Sequence, residues 1–316
     1  MTQTDADFEP RRYRVRHRTH YAYDEPVDAC YERGFLGPRQ TATQTLVEHT
    51  VTVTPEPDLV VEHADWLGNR SFYVEIRTPT TDLDVVKESV LDVAWPRVDL
   101  TALDRWTVRS AIADLRRGGV DAVTLATYSL PSALVTAEPV IVAYARKHLD
   151  PEQPLGVALD AIMMGVFEDF DFRSGATKVT TTLPDLLDLR AGVCQDFTHL
   201  TLACLRSLGL PARYVSGYLE TTPAPGRPRL EGADATHAWV SVLTPGGTWV
   251  DLDPTNGHLA DSRYLVTAWG GDFRDVSPLK GVIYADAPIR STLTVGVDVL
   301  RMTSSNPETS PAPEPS

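Results

Sequence analysis

The rhythm of apolar residues along this 316-residue chain changes near Pro96, and that change limits the fold more than any single motif. From about Arg12 to Trp95 the pattern is that of strands. TLVEHTVTVTP, RSFYVEIRTP and LDVVKESVLDVAWP are short runs rich in Val, Ile, Thr and Tyr, each punctuated by Pro, Gly, Asn or Asp. LGNR, Leu67 to Arg70, reads as a hairpin turn. Beyond Pro96, EPVIVAYARKHL and PLGVALDAIMMGVFEDF carry apolar residues three and four apart, with prolines at or before their starts, as helices do. Near the end STLTVGVDVL alternates again, with Leu293, Val295, Val297 and Val299 on one face. Segregated blocks of the two periodicities predict an α+β chain. The expected division is a flexible lead over 1–11, a β-sandwich-like domain over 12–100 and an α+β domain over 101–300. A tail over 301–316, rich in Pro, Ser and Glu, is expected to be disordered.

A formal charge of -14 opposes binding to nucleic acid, which draws its affinity from clustered Lys and Arg. No segment approaches the roughly 18 uninterrupted apolar residues of a membrane span, and the first twenty residues hold no signal-peptide core, so a cytoplasmic protein without a membrane partner is expected. Cys30, Cys194 and Cys204 are odd in number and contain no CxxC pair, which is not a disulfide framework and suits a reducing compartment. His17 and His20 lie three apart on a strand and so face opposite ways, which argues against a metal site. Met163 and Met164 read as core filler, and no cofactor is implied.

Chemistry concentrates in RAGVCQDFTHLTLACLRSLGL, Arg190 to Leu210. From Phe197, the apolar positions Phe197, Leu200, Cys204 and Leu208 recur at three and four, and the helix closes at Gly209 with Pro211 beyond. Cys204 lies on that stripe and reads as a packing residue. Cys194 precedes the stripe and follows Gly192, which places it in the first turn, where unpaired N–H groups and the positive dipole end favour a thiolate. Asp196 reads as a first-turn acid that complements the same dipole.

A nucleophilic cysteine needs a base, and the base an orienting group. DATHAWVSVLTPGGTWVDLDPTNG supplies candidates. If the strands around TPGG pair about a loop centred on Pro245, His237 faces Asp253 and Trp239 faces Asp251. Directly opposed side chains lie about 4.5–5.5 Å apart at Cβ, within reach of a carboxylate–imidazole bond. Asp251 shares a face with Asp253, so parity does not separate them; the assumed register and Pro254 favour Asp253.

These blocks resemble a known family. GVCQDFTHL, DATHAWVSV and WVDLDPTNG are similar to the three signature blocks of the bacterial transglutaminase-like proteins, a branch of the papain-like cysteine fold. VRHRTHYAYDEPV, LGPR and DWLGN resemble the amino-terminal domain that accompanies this catalytic domain in many bacteria, and RDVSPLKGV resembles a downstream block. The resemblance implies a helix carrying Cys194 packed on an antiparallel sheet, with Cys194 as nucleophile, His237 as base and Asp253 as the orienting acid. It departs where the family often has Gly-Arg-Asp-Tyr and this chain reads GGDF, Gly270 to Phe273.

The expected activity is that of a cysteine-dependent amide-bond enzyme, a peptidase or amidase, working through a thioester on peptide or protein amides. A protein-glutamine γ-glutamyltransferase is the first alternative, and a non-catalytic peptide-binding or assembly protein, with a partner on the β domain, the second. Trp239 and Tyr218 are candidate wall residues of the cleft. The proline-rich stretch Thr221 to Gly232 is expected to be a surface loop near its rim.

Overall fold

The structure is a computed structural model that describes residues 3–221 and 236–302; the proline-rich stretch beyond Thr221 and the tail beyond residue 302 lie outside the described residues. The amino-terminal part contributes β1 (Arg11–Val27), β2 (Ala29–Gly37), β3 (Gln44–Thr54), β4 (Leu59–Ala64), β5 (Arg70–Ile76) and β6 (Thr80–Val93). Along β1 the alternation is strict. Tyr13, Val15, His17 and Thr19 are buried, while Arg12, Arg14, Arg16 and Arg18 face solvent. A shift of one residue would bury the arginines, so this pattern sets the register, and the exposed pairs Arg12–Asp92 and Arg18–Asp84 agree with it.

The helical part follows with α1 (Val108–Arg117), α2 (Ala122–Ser129), α3 (Pro139–His148) and α4 (Leu155–Asp169), then β7 (Asp171–Phe172), α5 (Leu183–Leu189), β8 (Ala191–Gly192) and α6 (Cys194–Leu208). Strands β9 (Ala212–Leu219), β10 (Thr236–Thr244), β11 (Thr248–Asp253), β12 (His258–Leu259) and β13 (Tyr264–Gly270) form an antiparallel sheet in the order β12-β11-β10-β9-β13. Two more strands, β14 (Leu279–Tyr284) and β15 (Ser291–Met302), complete the chain's described part.

Those two strands correct the expected domain boundary. β14 pairs with β2 and β15 with β1, giving two four-stranded sheets, β15-β1-β6-β3 and β14-β2-β5-β4. The sandwich is therefore built from both ends of the chain, and the α+β unit does not run to residue 300. The physical reason is edge pairing: without β15, the outer edge of β1 would leave its backbone groups unpaired. Val297 and Val299 are fully buried by this docking, whereas Leu293 and Val295 remain half-exposed, so only part of that apolar stripe is used.

The lead is also not free. Gln3 Nε2 donates to the Leu259 carbonyl at 2.8 Å and to Asp261 Oδ2 at 2.7 Å, and the Ser262 N–H donates to the Asp7 carbonyl at 2.9 Å. Residues 3–11 are thereby tied to the turn beyond β12. Residues 301 and 302, expected in the tail, belong to β15.

The five-stranded sheet has two covered faces. Ala238, Val240, Val242 and Ala212 pack on the helical side with Leu200, Ala203 and Cys204 of α6. Trp239, Val215, Tyr264 and Leu265 pack on the other side with Tyr13, Val15, Leu91 and Val93 of the sandwich. Polar contacts fasten this seam to the backbone of β13. Asn69 Oδ1 accepts from the Trp269 N–H and Asn69 Nδ2 donates to the Trp269 carbonyl, each at 2.9 Å, while Asp65 holds the Asn69 side chain. Gln44 does the same at Val266, accepting from its N–H at 2.8 Å and donating to its carbonyl at 2.6 Å. Arg39 lays its guanidinium 3.7 Å from the Trp269 ring centroid. The LGPR and DWLGN blocks thus serve the junction between the two parts. Among the described residues no helix is long and apolar enough to cross a membrane.

Candidate active site

Cys194 is the first residue of α6, and three local features put it there. Arg190 turns the chain at φ 54 after α5, Gly192 pairs in parallel with Phe172, and the Asp196 carboxylate reaches back to accept the Val193 N–H at 2.8 Å. Thr177 donates to the same Asp196 oxygen at 2.6 Å. Asp196 thus caps the helix start, and its burial raises its carboxyl above the ordinary range. Gly192 leaves room for this cap: a Cβ there would stand 2.8 Å from Asp196 Oδ2 and 3.0 Å from Leu186 Cδ1. The first intrahelical donors run from Asp196 and Phe197 to the Val193 carbonyl, and among the described residues the Cys194 N–H has no acceptor.

The far end of α6 stops as its sequence indicates, with Gly209 at φ 92 and the Leu210 N–H returning to the Leu205 carbonyl. The helix is buried around nearly its whole circumference from Asp196 to Arg206, more than a single stripe requires, because it is enclosed between the sheet and α3, α4 and α5. Cys204 is fully buried and its thiol is pushed up by loss of solvent, which makes it a packing residue. Cys30 is likewise buried, in the sandwich core.

The hairpin register differs from the expected one. Thr244 pairs with Thr248 and Val240 with Leu252, so the loop is centred on Gly246, with Gly246 and Gly247 both at positive φ. Asp251 faces Ser241, not Trp239, and Asp253 comes level with Trp239. His237 and Asp253 are diagonal neighbours on one face, and His237 Nε2 lies 2.7 Å from Asp253 Oδ2. Asp251 is used otherwise, accepting from Trp239 Nε1 at 2.9 Å and Ser241 Oγ at 3.2 Å.

Asp253 is fully buried and saturated with donors. Oδ2 also accepts from Asn256 Nδ2 at 2.7 Å and from the Tyr264 hydroxyl, and Oδ1 accepts from the Thr255 N–H at 2.8 Å and the Asn256 N–H at 3.2 Å. Burial alone would raise its carboxyl; the His237 charge and these hydrogen bonds outweigh that and hold it well below the usual carboxylate range. His237 responds in the opposite sense. Burial would lower it, but the Asp253 charge and hydrogen bond, with a further hydrogen bond to the Cys194 thiol, raise it above its ordinary 6.5. Nε2 is committed to Asp253, which leaves Nδ1 as the other ring nitrogen.

Rings fix the imidazole plane. Trp239 stacks on His237 at 6.1 Å between centroids with 25° between planes, and Tyr264 flanks it at 5.9 Å. Exposure falls along the series: Cys194 is partly exposed, the His237 side chain is 10% exposed and Asp253 is at 0%. The structure therefore brings all three residues named from the sequence into one chain of contacts. Asn256 and Tyr264 were not singled out, although the Asp-Pro-Thr-Asn turn that places Asn256 is a recognisable side-chain-to-backbone turn. Tyr218, a candidate wall residue, sits in the seam with its hydroxyl 3.0 Å from His17 Nδ1. In the GGDF segment, the Phe273 N–H donates to His199 Nε2 at 3.2 Å and Asp272 Oδ2 accepts from the Leu134 N–H at 3.1 Å, so it braces α6 from the side.

Comparison with known proteins agrees with both parts. Residues 13–92 match the family described as the bacterial transglutaminase-like N-terminal region, and residues 142–254 match the transglutaminase-like superfamily. An uncharacterised protein of Mycobacterium tuberculosis is 39% identical over 297 residues, covering 92% of each chain. A protein-glutamine γ-glutamyltransferase of Pseudomonas aeruginosa is 39% identical over 122 residues, which is 36% of this chain and 18% of that protein. The crystal structure of a candidate cysteine protease from Cytophaga hutchinsonii superposes with a TM-score of 0.75 at 19% identity, over 95% of this chain and 93% of the other. The chain belongs to the bacterial transglutaminase-like family, and its fold, shared with papain-like proteases, is one of cysteine enzymes.

Proposed function

We propose that the protein is a cysteine-dependent amide hydrolase acting on peptide or protein amides through a Cys194–His237–Asp253 triad. The observation that carries this reading is the single line of contacts from the saturated, buried Asp253 through His237 to Cys194 at the open start of α6. A buried carboxylate with five donors holds its imidazole in one orientation and stabilises the imidazolium. A surface histidine in a structural role needs no such support.

In the proposed reaction His237, held as imidazolium by Asp253, already carries the proton of the Cys194 thiol, and the Cys194 thiolate attacks the amide carbonyl carbon. The oxyanion receives the Cys194 N–H, which no other group occupies among the described residues. The tetrahedral intermediate collapses with cleavage of the C–N bond as Nδ1–H protonates the departing amine, leaving an acyl thioester on Cys194. Water then adds, its proton going to Nδ1. The second collapse breaks the C–S bond, releases the acid and returns the thiolate beside the imidazolium.

Transfer to a primary amine is the second reading, favoured by the stretch shared with the Pseudomonas γ-glutamyltransferase. Both reactions share the thioester and part only at the acceptor. Mass spectrometry of peptide mixtures incubated with the protein, with and without a primary amine, tests the proposal. Cleavage or deamidation that is lost in Cys194→Ala supports hydrolysis, amine adducts on glutamine support transfer, and equal product from wild type and Cys194→Ala would overturn both.

A further inference from the structure

A second candidate site lies on the sheet face turned away from α6. Ser241 pairs with Arg213 of β9 on one side and with Asp251 of β11 on the other, so cation, small hydroxyl and anion form one row across three strands. The outer two Cα atoms of such a row are about 10 Å apart. Arg213 and Asp251, together with Trp95, Val98, Trp249 and Trp269, line a cavity of about 510 Å³ at the seam with the sandwich. That volume is in the range of small-molecule sites.

Arg213 and Asp251 feel each other's charge, which offsets part of the cost of burying each, but neither has a direct charged partner among the described residues. Arg213 is 9% exposed, and its guanidinium is sandwiched between Trp249 and Trp269, 4.0 and 3.7 Å from their centroids. Its Nε is buried without a hydrogen-bond partner, and among the described residues no hydrogen bond or ion pair holds the rest of the group. The rings take both flat faces, so the N–H edge is what remains for a ligand. Asp251 accepts from Trp239 and Ser241 only, which leaves about half of a carboxylate's lone-pair positions unfilled. No ion pair joins it to Arg213. Two charges that meet without direct contact beside apolar walls are costly to keep, and a ligand that pairs with both lowers that cost.

We propose that this cavity binds a small zwitterion of the α-amino-acid class with an apolar side chain. Its carboxylate would take the Arg213 edge, its ammonium the open side of Asp251, and its side chain the tryptophan and valine wall. An α-amino acid carries both charges within a short span and can extend a hydrogen bond of about 2.8 Å from either end. A simple anion would meet repulsion from Asp251 and a simple amine repulsion from Arg213, whereas a zwitterion satisfies the whole row. The site is separate from the thioester chemistry and touches it only through Trp239, which donates to Asp251 and stacks on His237.

Isothermal titration with L-leucine and L-phenylalanine tests the proposal, set against 4-methylpentanoate and 3-methylbutylamine, which lack one charge each. The expected result is saturable binding of at least one amino acid, at least about tenfold tighter than either half-ligand. Asp251→Asn should weaken it about tenfold or more. Ala42→Trp, at the cavity wall, should block it while leaving the melting temperature and the Cys194 alkylation rate near wild type. The proposal is overturned if neither amino acid binds at about 10 mM, if a half-ligand binds as tightly, or if folded Ala42→Trp binds like wild type. Cys194 alkylation scores the catalytic proposal separately, so failure of one does not mimic failure of the other.

Discussion

Asp253 lies diagonally across the hairpin from His237, and its Oδ2 meets the imidazole Nε2 at 2.7 Å while Asp251, two residues earlier, is engaged by Trp239. The two acids share a strand face and differ in their partner. Asp253→Asn is therefore expected to lower kcat by about 10²–10⁴-fold, the range of a lost orienting acid. Asp251→Asn should cost less than about tenfold. Steady-state kinetics on any cleaved peptide decides between them, and the reverse order would remove Asp253 from the triad.

The cysteines should separate cleanly in alkylation. Cys194 is partly exposed and bonded to His237, whereas Cys30 and Cys204 are buried. Iodoacetamide near neutral pH is expected to label Cys194 first, and peptide mapping reads the order. Cys204→Ala should cost about 1–2 kcal/mol of stability through the cavity it leaves, with catalysis retained.

Stability should report the His237–Asp253 pair through pH. His237 is raised from 6.5, so its contribution is complete below that value and is lost as pH climbs through the folded value near 10. Asp253 is lowered from 3.8, so its contribution is complete above that value and is lost on acidification. Both are present between 3.8 and 6.5. The fall in Tm caused by His237→Ala is expected to be largest near about pH 5 and to shrink toward about pH 10. A difference in Tm that does not change with pH would contradict the ion pair.

Gly192→Ala tests the cap beneath the nucleophile. The added methyl would sit 2.8 Å from Asp196 Oδ2 and press the carboxylate off the Val193 N–H. A loss of about 1–3 kcal/mol is expected from overpacking, with a drop in turnover because the start of α6 moves. Gly209→Ala, at φ 92 on the other end, should cost about 1 kcal/mol with kcat unchanged. Melting curves and kinetics of the two variants provide the comparison.

Asn69→Ala tests the seam. It deletes both side-chain bonds to the Trp269 backbone and leaves that N–H and carbonyl without their partner. The expected cost is about 1–3 kcal/mol. Limited proteolysis should then cut between sandwich and catalytic sheet sooner than in wild type.

Much of this fold and site is legible in the sequence, and what is not has physical causes. Helix α6, with Cys194 at its start and Cys204 in its packing, follows from local periodicity and end signals, which depend on neighbouring residues. The His237–Asp253 contact survived a wrong register because moving the loop centre from Pro245 to Gly246 shifts partners by two and keeps the same face. The loop centre differs from the expected one because two consecutive glycines accept the positive φ that lets Pro245, Gly246 and Gly247 make the turn. Tyr264 could not be found from the hairpin, since it comes from β13, on the far side of β9 from β10. The return of β14 and β15 to the sandwich was equally hidden. Alternation shows that a segment is a strand, and only the unpaired edge of β1 says where it goes.

That return also sets an order of events during synthesis. In the pairing of β1 with β15, Arg12 stands opposite Met302, so an early strand waits for a late one while every residue of the Cys194, His237 and Asp253 cluster is made in between. The five-stranded sheet has all its strands before the first sandwich sheet can close. A nascent chain would hold Cys194, His237 and Asp253 already made while β1 still offered an open edge, the state in which chaperones or stray strands compete for it.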